Sequence, residues 1–183
     1  MLRICISGFS ASGKTTIGND LAKKLGIMHI TKKSMSSFKR FMAETKDSKD
    51  DNTRLAETTS SRGYADAFDR EVIRLARKNN CVVTTWLGPW FVKNATLKVW
   101  LNTRFEERVR RRAADRKISM KLAREQVGKK DRLTIRNIKR LYGIDVMDHS
   151  GFDIEINTER FTAKEEVAMI SLLALEREKG RFK

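Results

Sequence analysis

The chain commits itself within its first fifteen residues. Gly8-Phe9-Ser10-Ala11-Ser12-Gly13-Lys14-Thr15 sets two glycines, a lysine and a hydroxyl residue at the spacing GxxxxGK[ST], directly after an apolar run at 2–7 and directly before a helical pattern. Glycines at both ends let the backbone curl until successive N–H groups, those of Phe9, Ser10, Ala11 and Ser12 among them, point inward. The helix that follows adds unpaired donors and partial positive charge at its first turn. Such a concavity of donors suits the phosphates of a nucleoside triphosphate, taken here as ATP, with the loop itself leaving GTP open. Lys14 then supplies a mobile charge for the β- and γ-phosphates, Thr15 a hydroxyl ligand for Mg²⁺, and Thr16 a further donor to the α-phosphate.

The rest of the sequence alternates strands and helices. After 2–7 (LRICIS), Ile17, Leu21, Ala22 and Leu25 recur at helical spacing up to Gly26, and 28–30 reads as a second strand. Helices are expected over 34–45 and 65–78, separated by a polar stretch at 46–61 with little periodicity. Strands are expected at 81–85, 97–101 and 152–156, and charged helices at 104–116 and 118–141. A capping box at Thr162 and Glu165 opens a last helix. Pro89, the sole proline, falls in an expected loop. This order implies one α/β domain over 1–183 with a mostly parallel sheet.

Cys5 and Cys81 both sit in apolar strand-like runs with no CxxC spacing, as buried reduced thiols would. With no signal-like opening and no long apolar stretch, a cytoplasmic protein without membrane contact is expected. Oligomeric state is read no more closely than monomer or homodimer. Thirty-nine Lys and Arg against 23 acidic residues give a net charge of +16. That field favours polyanions, including RNA as a secondary partner, or it serves solubility alone.

Part of that charge is concentrated. Arg104, Arg108, Arg110, Arg111, Arg112 and Arg116 fall within thirteen residues after the fourth strand, and Arg104, Arg108, Arg111 and Arg112 share a helix face. Like charges so close call for an anionic partner. A segment that closes over a triphosphate would use them, since an arginine on the moving phosphoryl group is worth about 10³–10⁵ in rate. Lys14, Arg108, Arg111 and Arg112 are therefore the candidate catalytic cations. A solvated basic face and a nucleic-acid patch are the competing readings.

Together these landmarks resemble the archaeal type of cytidylate kinase among the nucleoside monophosphate kinases. The resemblance runs through GFSASGKTT, FKRFMAE (38–44), VVTTWLGPWFVK (82–93), NATLKVWL (94–101), LYGIDVMDHSGFDIEINT (141–158) and the helix after them. It implies a P-loop kinase fold: a parallel five-stranded sheet flanked by helices, with mobile acceptor-binding (about 34–70) and lid (about 104–137) segments. It also implies that Arg40 holds the acceptor phosphate, that Arg108 and Arg111 reach the donor phosphates, and that Asp145 is the aspartate after the lid. The chain departs from the family at three places. Trp86 stands where an arginine is usual, Thr31-Lys32-Lys33 replaces a small-residue turn, and Lys130-Asp131-Arg132-Leu133 replaces the lid's RExS pattern.

The acceptor can also be argued from chemistry. A hydroxyl acceptor benefits from a carboxylate that takes its proton. Neither 30–33 nor 84–86, the strand ends expected to face the phosphate loop, offers one. A phosphate acceptor is already ionised at neutral pH. The expected reaction is thus transfer from ATP to a phosphate acceptor, and the resemblance implies a pyrimidine monophosphate in that place: CMP, or UMP or dCMP. The alternatives are a kinase for another small phosphorylated metabolite and a nucleotide-dependent RNA-binding or assembly ATPase. Besides Arg40, candidates on the acceptor side are Arg54, Arg62 and Arg70, Asp69 as a base-reading acceptor or a macrodipole partner beside Asp66, and Trp86 as a stacking platform or a core cap. His29 and His149 are assigned no role. Arg40→Ala should raise the KM for the acceptor at least about tenfold and that for ATP little, in steady-state assays with each substrate varied; equal effects would remove the role given to Arg40.

Overall fold

The computed structural model describes residues 1–36 and 62–181, with the backbone alone at 62–64. Five strands form one wholly parallel sheet in the order β2-β3-β1-β4-β5. They are β1 (Arg3–Gly8), β2 (Met28–Ile30), β3 (Cys81–Val83), β4 (Leu97–Asn102) and β5 (Ile154–Asn157). The helices are α1 (Lys14–Leu25), α2 (Arg62–Lys78), the single turn α3 (Gly88–Phe91), α4 (Phe105–Arg116), α5 (Met120–Tyr142) and α6 (Ala163–Glu178).

The central strand shows why the layers form. Successive side chains on β1 point to opposite faces. Ile4 and Ile6 join Ile17 and Leu21 of α1 and Ile170 and Ala174 of α6, while Cys5 joins Val72 and Ala76 of α2 on the other face. A strand buried on both faces reads as an unbroken apolar run, as 2–7 does. Both cysteines are buried and free, and burial pushes the thiols of Cys5 and Cys81 well above the usual range. Two smaller clusters complete the core. Leu87, Ile138 and Val146 join the β3–β4 connection to the end of α5, and Val109, Ala123 and Val127 join α4 to α5.

Because every strand runs the same way, all five carboxyl ends open on one edge, where ligands bind in sheets of this kind. The phosphate loop follows β1, a capped 3₁₀ turn (Lys32–Ser34) follows β2, Trp86 follows β3, the α4–α5 hairpin follows β4, and Thr158 follows β5.

Several expectations shift. The structure starts α2 at Arg62, so no acidic residue lies in its first turn, and Asp66 and Asp69 are not macrodipole partners. Pro89 lies not in a loop but in the first turn of α3, where its missing N–H costs nothing. The helix expected from 34 begins two residues late: Ser34 ends the 3₁₀ turn, Met35 is extended and Ser36 is helical. The remainder of that expectation, and the polar stretch at 46–61, lie outside the described residues. The fifth strand begins at Ile154, two residues late, while both bonds of the Thr162–Glu165 capping box are made.

Gly8 is the most constrained of the joints. Its φ is 146°, and a Cβ there would lie 2.6 Å from the Leu101 carbonyl oxygen of the neighbouring strand. Gly8→Ala should therefore cost about 2–4 kcal/mol in urea unfolding; a change below about 0.5 kcal/mol would show that the loop is not held against β4 as described.

Candidate active site

Three residues give the loop its curl: Gly8 (φ 146°), Ala11 (φ 63°) and Gly13 (φ 99°). Ala11 is the informative one, because a side-chain-bearing residue in the left-handed region stores strain that functional loops commonly hold. The Ser12 N–H closes a tight turn on the Phe9 carbonyl at 3.2 Å. Thr15 and Thr16 stand exposed on the first turn of α1. Ser10 and Ser12 are buried, and neither hydroxyl has a hydrogen-bond partner. Orphaned buried hydroxyls are uncommon, and two in one donor-lined loop fit a site completed by phosphate oxygens.

Lys14 is folded back on its own loop. Its Nζ donates to the carbonyls of Gly8 (2.6 Å) and Phe9 (2.7 Å) and lies 5.4 Å from the Trp86 ring centroid. Burial, with repulsion from Lys130 next, pulls its pKa down to about 7, and Asp131 opposes the shift. Its neighbours show the same pressure. Burial and then Lys130 bring Lys32, after β2, down to about 7. Burial and then Arg112 lower Lys130 on α5, and burial and then Arg116 lower Arg112 on α4. The nearest salt-bridging carboxylate to Arg112 is Asp115, 4.0 Å away. Cations from four elements thus meet around one loop with Asp131 as the main counter-charge. A bound polyphosphate would relieve that repulsion.

The other lid arginines are tied down. Arg108 and Asp131 form a buried ion pair, with side chains 7% and 9% exposed. Asp131 also accepts the Ser10 N–H at 3.2 Å. Arg108 donates to the carbonyls of Ser10 and Thr103, both at 3.2 Å, and lies 4.9 Å from the Phe9 ring centroid. Arg111 donates to Thr158 O at 2.8 Å, to Thr158 Oγ1 at 3.0 Å and to Glu107 at 3.1 Å, and it reaches Ser12 O at 3.4 Å. Arg104 pairs with Glu159, Arg110 with Glu107, Arg116 with Asp115 and Arg124 with Glu106. The anions that the arginine cluster calls for are, in large part, the chain's own carboxylates.

On the acceptor side, Trp86 packs edge-on against Phe9 at 5.6 Å, and its carbonyl accepts the Ser7 hydroxyl at 2.9 Å. Trp86 therefore walls the lysine end of the phosphate loop. Asp69 accepts a hydrogen bond from Tyr142 at the end of α5, and burial raises its carboxyl to about 6. Arg70 is exposed on α2, whereas Arg40, Arg54 and the Arg62 side chain lie outside the described residues. Trp100 is core, 1% exposed, and Trp90 is half-buried. His29 meets Thr84 at 2.9 Å, and His149 lies against the Trp100 ring. Asp145 is exposed and caps the Met147 N–H. Residues 8–16, Arg108, Arg111, Arg112 and Trp86 converge. Lys32, Lys130 and Asp131 join them without having been singled out as site residues, although two of the three departures from the family pattern marked those positions.

The family described as cytidylate kinase-like matches residues 3–160. The chain belongs to the cytidylate kinase-like family. The cytidylate kinase of Thermococcus kodakarensis is 32% identical over 157 residues, covering 86% of this chain and 79% of that one. That of Pyrococcus horikoshii is 30% identical over 169 residues, covering 92% and 86%. A shikimate kinase from Bacteroides thetaiotaomicron shares the fold, with a TM-score of 0.61 at 16% identity over 94% of this chain and 97% of that one. Among the described residues of this cytidylate kinase-like chain, no helix is long and apolar enough to cross a membrane.

The folded-back lysine has a measurable signature. With a folded-state pKa near 7 against an ordinary value of 10.5, Lys14 binds fewer protons folded than unfolded above neutrality. Its contribution to stability therefore rises with pH from about 7 upward. Lys14→Met should flatten the rise in unfolding free energy between about pH 7 and 8.5, read from urea melts of ligand-free protein. Parallel profiles for the two proteins would contradict the burial of this ammonium.

Proposed function

We propose that the protein transfers the γ-phosphate of ATP to the phosphate of a nucleoside monophosphate, with CMP the leading acceptor and UMP or dCMP next. One observation carries the reading. The strand ends facing the phosphate loop, Ile30-Thr31-Lys32-Lys33 and Thr84-Thr85-Trp86, hold cations and hydroxyls but no carboxylate, beside a loop crowded with cations. Such a vault suits the meeting of two phosphates and offers no base for an alcohol. Family membership and curated relatives named cytidylate kinase support the pyrimidine acceptor.

The residues divide the work. The loop amides and the first turn of α1 orient the β- and γ-phosphates. Lys14 exchanges the carbonyls of Gly8 and Phe9 for phosphate oxygens, regaining the charge that burial weakens. Arg112, the lid arginine least engaged by carboxylates, neutralises the moving phosphoryl group as the acceptor oxygen bonds to the γ-phosphorus and its bond to the β-phosphate oxygen breaks. Arg108 and Arg111, held by Asp131 and Thr158, keep the loop in shape and stand at its rim for the donor phosphates. The exposed Thr15 hydroxyl is the residue that would hold Mg²⁺. Among the described residues no cluster of three acidic, His or Cys side chains competes for it, and the hard ion fits a site with one protein ligand, phosphate oxygens and water. When bound, Mg²⁺ would neutralise charge on the donor phosphates.

A coupled assay of ADP release across a panel of nucleoside monophosphates should show acceptor-dependent turnover, greatest with CMP. Lys14→Ala should reduce it by about 10³-fold or more with an unchanged circular dichroism spectrum. ADP release indifferent to every monophosphate but stimulated by RNA would overturn the assignment in favour of an RNA-dependent ATPase.

A further inference from the structure

A cavity of about 330 Å³ lies on the α2 face of the sheet, walled by Trp90 and Phe91 of α3, by Arg3 at the start of β1, and by Arg77, Lys93 and Asn94. It is remote from the phosphate loop. Arg3 and Gly8 bound the same strand, so five residue steps, roughly 17 Å, separate the two ends. The volume sits at the small end of the ~300–1,000 Å³ typical of small-molecule sites.

The lining is chemically one-sided. Arg3 is spent on the frame: its guanidinium donates to the carbonyls of Ala76 (2.7 Å), Arg77 (3.1 Å) and Asn94 (3.5 Å), tying the end of α2 to the loop before β4. That leaves the side chains of Arg77 and Lys93, both exposed at the rim and both without an ion pair among the described residues. No acidic side chain lines the cavity among the described residues. Two aromatic rings on one wall, two unpaired cations at the mouth and a neutral amide beside them recognise a planar ring that carries a negative group. We propose that this cavity is a second nucleotide site, taking a free mononucleotide with its base against Trp90 and Phe91 and its phosphate between Arg77 and Lys93. The wall is not isolated from the catalytic half. Phe91 meets Tyr142 edge-on at 5.4 Å, and Tyr142 holds Asp69 on α2. The cavity wall is thereby tied to the end of α5 and to the middle of α2.

The test is the number of CMP equivalents bound in equilibrium dialysis, with cytidine as the phosphate-free control. The double variant Arg77→Glu/Lys93→Glu changes exposed side chains and leaves the frame of Arg3 untouched. It should lose one equivalent of CMP that the unmodified protein binds, or weaken it at least about tenfold, while kcat and KM stay within about twofold. Cytidine should bind that site about tenfold more weakly than CMP and be indifferent to the double variant. If the variant binds as many equivalents with the same affinities, the cavity is not a nucleotide site. Parallel loss of kcat and of the equivalent would place the effect at the phosphate loop and overturn the proposal equally. Should the unmodified protein bind a single equivalent of CMP, Arg77→Glu/Lys93→Glu remove it, and the coupled assay show no acceptor-dependent turnover, the second site stands and the acceptor reading falls.

Discussion

A single buried carboxylate holds the catalytic edge together. Asp131, on the second helix of the hairpin after β4, accepts the Ser10 amide of the phosphate loop and pairs with Arg108, which in turn binds the Ser10 and Thr103 carbonyls. Three segments far apart in sequence meet at one node. Desolvating two charges is expensive, and a buried pair returns that cost only where its remaining hydrogen bonds are filled. Here they are filled by backbone groups of the loop and of Thr103 just after β4. Removing one partner of such a pair typically costs about 3–5 kcal/mol, because the survivor is left charged and buried. The pair fixes where the hairpin sits more than how stable the protein is.

That node changes the meaning of the surrounding charge. A net charge of +16 suggests a surface waiting for a polyanion, yet along α4 much of it is answered by Glu106, Glu107, Asp115 and Glu159. Exposed pairs of that kind are worth about 0–1 kcal/mol each and are screened by salt. The cations that matter are the crowded, partly buried ones: Lys14, Lys32, Lys130 and Arg112. Each is pushed toward its neutral form by burial and by its neighbours, so a bound polyphosphate gains from restoring their charge as well as from direct attraction.

The sequence made the sheet and the phosphate loop legible because both rest on local rules. Strand alternation, the glycine spacing and the Thr162–Glu165 box act over a few residues, and β1, α1, β2 and α6 fall where those rules put them. The single turn α3 was missed because four residues are too few for periodicity to register. The roles of Asp131, Lys32 and Lys130 were illegible for a different reason. The partners of Asp131 lie 23 and 121 residues away, and the Lys130 that presses on Lys32 lies on a different element, so no rule acting over a few residues brings them together. The macrodipole reading of Asp66 and Asp69 rested on a helix boundary three residues too late, and the Tyr142 partner of Asp69 lies 73 residues away, beyond any local rule. The family resemblance did flag 31–33 and 130–133, since a departure from pattern at a strand end or in a lid marks a position whose surroundings have changed.

Trp86 shows what such a change can do. Its ring replaces an expected arginine beside Lys14, the one lysine the chemistry most needs. A guanidinium there would add another like charge to a crowded site and push Lys14 further toward neutrality. An indole instead offers its electron-rich face to the ammonium, an attraction that gains strength when solvent is excluded, and its edge holds Phe9 in the loop. The indole in place of a cation therefore supports the lysine rather than competing with it. Lys130 on α5 already presses like charge on both Lys14 and Lys32, so a neutral ring at the end of β3 adds none to a site that has little room for more.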